Sequence, residues 1–120
     1  MPPENRNLAH ILDIVIAINA VNDFVAGLTL DDFLTMDMVK SAVKWQFIIM
    51  GEATNRLGET FIDERPHIPW HQMRGMRNRL AHEYNSIGDE TLWDIIQNDL
   101  APLLEQLVVL LPQNPDDSPS

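Results

Sequence analysis

The stretch from Trp70 to Tyr84 concentrates the side chains able to do chemistry on an anion: Arg74, Arg77, Asn78, Arg79, His82 and Tyr84. Histidine is the side chain suited to proton transfer near neutral pH. Arginine holds the charge of a phosphoryl transition state without giving up its proton. Together they suit metal-free RNA cleavage, in which the ribose 2′-OH attacks the adjacent phosphate. Wound as a helix, Trp70, Met73, Leu80, Ala81 and Tyr84 fall within about 60° of Arg77, and Met76 within about 100°. Arg77 therefore stands in the middle of an apolar stripe. A buried arginine needs an acceptor or a water-filled cleft, and Glu52 is a candidate carboxylate. The opposite face holds Asn78, His82, Arg79, His71 and Gly75. Asn78 and His82 are i and i+4, so the amide can orient the imidazole. Arg77 and His82 are about 140° apart and roughly 7.5 Å along the axis. One straight helix cannot close both on a single small atom. They could flank a phosphodiester in a groove, particularly one shared by two antiparallel copies of the helix.

Charge is distributed to match. The 120 residues hold eight Lys and Arg against eighteen Asp and Glu, a net of −10. Arg65 to Tyr84 contains four arginines and one acid, a net of +3, so the other 100 residues carry −13. Such a balance argues against a general nucleic-acid coat protein and for a local anion site. Three of the four histidines, His67, His71 and His82, lie in the basic window. There is no cysteine, which excludes disulfides, thiol catalysis and thiolate metal sites. The N-terminus lacks a signal-peptide pattern and no apolar run reaches the roughly 18 residues of a membrane span, so a cytoplasmic protein without membrane contact is expected.

The elements that must position these groups read as helices. Asn5 to Gly27 repeats Leu8, Ile11, Leu12, Val15, Ile18 and Val25 at helical spacing. Thr29 to Met36 is a connection with a short helical turn at Asp31-Asp32. Asp37 is placed to cap a second helix over Met38 to Leu57, whose Trp45, Phe47, Ile48, Ile49 and Met50 put apolar groups almost all round it. In a domain of this size that implies a partner subunit. Gly58 to Pro69 reads as a connector, and Pro69 suits the first position of the third helix. After a turn at Asn85 to Gly88, Asp89 is placed to cap a fourth helix to Leu111, with Pro102 kinking or dividing it. The expectation is an all-α, antiparallel four-helix bundle, dimeric, forming a single domain over residues 1–111. A disordered Pro-, Asp- and Ser-rich tail is expected over 112–120.

Arg77-Asn78-Arg79-Leu80-Ala81-His82-Glu83-Tyr84 resembles the Arg-Asn-x-x-x-His-x-Tyr signature of HEPN-domain proteins. The resemblance is closest to the HepT-like toxins of the HEPN/MNT (type VII) toxin–antitoxin systems. Gly51-Glu52-Ala53, Ile68-Pro69-Trp70 and Trp93 are similar too, and the likeness covers about Leu8 to Leu111. It implies a dimeric helical bundle with metal-independent endoribonuclease activity and no cofactor, cleaving RNA such as tRNA or mRNA. It also implies an MNT-type nucleotidyltransferase antitoxin that silences the toxin by AMPylation. Carried over by residue, Arg77 and His82 are catalytic, Asn78 is a supporting polar group and Tyr84 is the AMP acceptor. By residue type alone Tyr84 is more often a helix-end aromatic packing on the core. Arg74 and Arg79 either hold RNA phosphates or solubilise the surface.

Two rival readings follow from the same residues. His67 and His71 are i and i+4, but Pro69 between them removes the shared helical face, and no metal site is expected. The acidic balance suits a non-catalytic helical partner subunit that presents substrate to a nucleotidyltransferase; RNA cleavage in the presence of chelator separates the two.

Overall fold

The computed structural model describes residues 3–82 and 87–112, with the side chains of residues 3, 4, 81 and 82 outside that description. The chain is all-helical: α1 (Pro3–Val25), α2 (Leu30–Thr35), α3 (Asp37–Asn55), α4 (Glu59–Asp63), α5 (Trp70–His82), α6 (Asp89–Asn98) and α7 (Leu100–Val108), with no strand among the described residues. The three long helices fall where the periodicity puts them. Of the expected turn at Asn85 to Gly88, positions 85 and 86 lie outside the described residues, as does 113–120 of the expected tail.

Ile11, Ile14, Ile18 and Val21 of α1 are fully buried and form the centre of the core, packed on α3. The β-branched residues of α1 lower its intrinsic helix propensity, so this burial is what holds the helix. Asn5–Val25 has mean hydropathy 1.6 and is by length and composition long enough to cross a membrane, which corrects the expectation that no stretch reaches that length. Its inner face is the centre of the core. Gly27 adopts φ 76°, the left-handed conformation that ends α1 at low steric cost.

Two short helices were not expected in full. The turn at Asp31-Asp32 is a complete helix, α2, closed by a capping box: Asp32 N donates to Thr29 Oγ1 at 3.1 Å, and Thr29 N to Asp32 Oδ2 at 3.0 Å. Its buried Phe33 packs on Trp93 of α6 at 5.2 Å between ring centroids. The connector before α5 contains α4. Phe61 of α4 packs on Trp70, and the Arg65 guanidinium lies 3.8 Å over the Phe61 ring. Arg65 also donates to the Phe61 carbonyl at 3.0 Å, and Trp70 Nε1 donates to the Arg65 carbonyl at 3.0 Å. Arg65 is thus a structural residue that fixes where α5 begins. Pro69 stands one residue ahead of α5 rather than inside it, its carbonyl accepting from Met73 N at 3.3 Å.

Both aspartates expected as caps have other roles. Asp37 is the first helical residue of α3, after Met36, and pairs with Lys40 at 3.3 Å. Asp89 is the first residue of α6, after Gly88, and receives Lys40 at 3.1 Å and Lys44 at 3.5 Å. Burial alone would raise the Asp89 pKa, but the Lys40 hydrogen bond and the Lys44 charge hold it below the ordinary aspartate value. The last helical stretch is divided at Asp99. Pro102 occupies the third position of α7, where a missing N–H costs no intrahelical bond.

α3 and α5 run antiparallel: Met73 lies against Thr54, whereas the later Arg77 lies against the earlier Gly51. A Cβ at Gly51 would overlap Arg77 Cβ and stand 2.7 Å from Arg77 Cγ and 3.0 Å from the Met73 carbonyl. The absence of a side chain at position 51 therefore sets the spacing of the two helices. Gly51→Ala should destabilise the protein by about 1–3 kcal/mol through overpacking, against a propensity gain of roughly 1 kcal/mol at most. Urea unfolding of the variant checks this, and an unchanged or raised midpoint would show that the contact yields freely.

Candidate functional site

Arg77 enters the α3–α5 interface through its stem and leaves it through its head. Its Cβ and Cγ abut Gly51, in the apolar stripe where the helical wheel places them. The guanidinium emerges at the rim, with the side chain 25% exposed. There Nε and Nη2 both donate to Glu52 Oε1, at 3.0 and 2.6 Å, and Nη1 donates to Asn78 Oδ1 at 3.2 Å. The carboxylate anticipated as partner is the actual one. Asn78, expected to orient His82, braces Arg77 in this arrangement.

The hydrogen bond from Arg77, then its charge, draws the Glu52 pKa below the ordinary glutamate value; Arg56 adds to this and burial opposes it. Glu52 thus stays ionised and holds the guanidinium in one orientation. Two of the arginine's nitrogens converge on a single carboxylate oxygen, which fixes the plane of the fork as well as its position. The arrangement can hold a phosphodiester oxygen against a charge that does not depend on pH.

His82 is the last residue of α5, and its side chain lies outside the described atoms; Tyr84 lies outside the described residues altogether. On the helix repeat His82 stands roughly 7.5 Å beyond Arg77 along α5. Arg74 is half-buried, and its Nε is buried without a hydrogen-bond partner among the described groups. Arg79 is exposed and lies on the lining of a cleft between α5 and the α6–α7 pair. The structure thus brings Arg77, Asn78 and Glu52 together and sets Arg79 on a different flank of α5. Among the described residues no cluster of three or more His, Asp or Glu could hold a metal ion. The part of the site that sequence reasoning passed over is the role of Gly51. Its signal was a glycine inside an apolar helix immediately before the carboxylate.

Because its folded-state pKa is lowered, Glu52 contributes stability that is present above the unfolded glutamate pKa of about 4.3 and is lost as pH falls through the folded value. Glu52→Gln should therefore lower Tm at pH 7 and flatten the fall in Tm between about pH 5 and pH 3. Asp89 acts in the same direction, so the wild-type minus variant difference is the quantity to follow. A difference that stayed constant across that range would remove the charge of Glu52 from the account.

Residues 14–110 match the family model described as "Ribonuclease HepT-like". A Methanocaldococcus jannaschii protein named "Putative RNase" is 34% identical over 96 residues, covering 80% of this chain and 79% of that protein. A second protein of that organism with the same style of name is 29% identical over 102 residues, covering 85% and 94%. The "Probable ribonuclease HepT" of Thermococcus cleftensis is 32% identical over 91 residues, covering 76% and 83%. No solved structure matches. The family match takes in α3 and α5 entire, and with them the Gly51–Arg77 contact and the Glu52 pair: the chain belongs to the ribonuclease HepT-like family.

Proposed function

We propose that this chain is a cytoplasmic, metal-independent endoribonuclease acting as the toxin of a toxin–antitoxin pair, with Arg77 and His82 as catalytic residues in a cleft shared by two copies. The observation that carries the reading is the Arg77 guanidinium, held at a helix rim by Glu52 and Asn78 in the most basic stretch of the chain. In the proposed reaction the ribose 2′-oxygen forms a bond to phosphorus and the bond to the 5′-oxygen breaks. His82 takes the 2′-OH proton, water supplies one to the leaving 5′-oxygen, and Arg77 carries the charge on the non-bridging oxygens. The products are a 2′,3′-cyclic phosphate and a 5′-hydroxyl. The ribonuclease names of the relatives support the reaction class.

A second copy is the expected cover for one face of α3. Trp45 is 59% exposed and Met38 87% exposed, and Met38, Trp45 and Glu52 follow one another at seven-residue spacing. With α3 and α5 antiparallel, Trp45 comes level with the end of α5 that carries His82. A partner seated on Trp45 therefore also approaches the proposed site. The acidic exterior favours the second reading, a non-catalytic partner of a nucleotidyltransferase, and the same assay decides between them. Purified protein, running as a dimer in light scattering, should cleave RNA in the presence of chelator. Arg77→Ala and His82→Ala should each lower the rate by at least about 100-fold with the helical circular dichroism unchanged. Full activity in either folded variant would sink the assignment.

Control is proposed to act through Tyr84. Were the helix repeat continued to position 84, that position would fall about 20° from Arg77 and roughly 10.5 Å further along. A nucleotidyltransferase antitoxin would join the phenol oxygen to the α-phosphate of ATP, releasing pyrophosphate. The added anion would then occupy the site's own positive charge and repel the RNA backbone. Tyr84→Phe should fold, keep its toxicity and escape modification. Intact-mass spectrometry after incubation with the antitoxin, ATP and Mg²⁺ reads this directly: no adenylate on the wild type, or the same adenylate on Tyr84→Phe, would overturn it.

A further inference from the structure

The flank of α5 facing away from Glu52 opens into a cleft of about 680 Å³ between α5, α3 and the α6–α7 pair. Its floor is apolar, made of Met50, Met73 and Leu103, all buried. Its rim is mixed. Gln72 and Arg79 come from α5, Asp99 and Gln106 from the other wall, and the Gln106 amide reaches the His67 carbonyl at 3.4 Å. This is the size and make-up of a small-ligand pocket, an apolar slot with a few convergent polar groups. Gly75 sits at its mouth, and a Cβ built there meets nothing within 4 Å.

We propose that the cleft takes an unpaired nucleobase of an RNA strand whose scissile phosphate lies at Arg77; in this it rests on the ribonuclease reading. A base is a flat, weakly polar body with donors and acceptors only on its edges, which matches thioether and leucine walls below amides, a guanidinium and a carboxylate. The Asp99 carboxylate disfavours a phosphate inside, so the base enters and the backbone stays out. Arg79 at the rim is placed to meet that backbone. The polar face of α5 joins the two places: going round the helix from Arg77 come Asn78, His82, Gly75, Arg79 and Gln72, and then the cleft. Half the circumference of a helix with its side chains is roughly 16–19 Å, the reach of a few nucleotides. The accommodated base thus belongs to a near neighbour of the scissile phosphate, and it would give the enzyme a sequence or single-strand preference that Arg77 and His82 alone cannot supply.

Two measurements test this. In amide NMR titrations of the full chain, one or more of AMP, GMP, CMP and UMP should shift Gln72, Gly75 and Gln106, while ribose 5-phosphate, which lacks a base, should not. A short single-stranded RNA should bind at least about tenfold more tightly than an abasic strand of equal length. Gly75→Leu puts a side chain into open space at the mouth and raises helix propensity, so it should fold, fill the cleft and bring the two strands to equal affinity. Gln106→Leu, on the far wall, should narrow the same ratio if Gly75→Leu proves unfolded. Silent titrations, equal binding of base-bearing and abasic RNA by the wild type, or unchanged discrimination in folded Gly75→Leu would overturn the proposal. The two readings fail separately: nucleotides that bind the cleft of a protein unable to cleave RNA would remove the nuclease and leave the pocket. RNA cleavage with the same KM in wild type and Gly75→Leu would do the reverse.

Discussion

A permanent positive charge stands in an apolar helix stripe, and much of the structure is arranged around it. Burying an unpaired guanidinium would cost several kcal/mol, roughly the whole margin of stability of a small domain. The cost is avoided by geometry. Gly51 lets the stem of Arg77 lie flat on α3, so that the head reaches the rim, where Glu52 and Asn78 meet it. A side chain at position 51 would push α5 outward and break the distances to Glu52 that fix the guanidinium. Packing and electrostatics are therefore one constraint here: the close approach of α5 at Gly51 and the doubly bonded charge at Glu52 share adjacent residues on α3.

That arrangement also changes what the basic window means. Of its four arginines, Arg65 is committed to Phe61 and the start of α5, and Arg77 is neutralised at rest by Glu52. Lys40 and Lys44, two of the four bases elsewhere, are bound to Asp89 and so tie α3 to the start of α6. A count of charges thus overstates the field available to attract RNA. An anion approaching Arg77 meets an ion pair, whose value is direction rather than long-range attraction, and must gain the rest of its affinity from other contacts along α5.

The elements legible in the sequence were those long enough to show a period. α1, α3 and α5 follow their apolar repeats, and the division of the last helix follows from Pro102, although the break comes at Asp99 because proline is tolerated in a first helical turn. α2 and α4, of six and five residues, are too short for a period to register, and only the acidic pair Asp31-Asp32 marked one of them. Asp37 and Asp89 look like caps because aspartate at a helix start usually is one. Lysines claim them instead: Asp37 pairs with Lys40 one turn on, and Asp89 with Lys40 and Lys44 of another helix, a pairing that a single sequence does not display. Arg77 was legible as an anomaly and Glu52 as its partner, since a charge in an apolar stripe demands one. The closeness of Gly51 to Arg77 was not, because it depends on how two helices cross.

The two flanks of α5 have different physical character, and this bears on how a minimal domain can combine chemistry with recognition. On one flank a rigid, charge-paired guanidinium is positioned by a neighbouring helix at contact distance. On the other, α5 stands away from α6 and α7, leaving a soft-walled cleft floored by methionine and leucine. Rigid ion pairs suit the fixed geometry of a transferring phosphoryl group, whereas thioether walls adapt to ligands of varied shape. One helix carrying both would couple them mechanically, since any shift of α5 that widens the cleft also moves Arg77 against Gly51. The Gly51 contact resists such a shift in one direction only: it blocks approach and does not prevent separation. The ion pair with Glu52 supplies the opposing restraint, so α5 is held between a steric stop and an electrostatic tether.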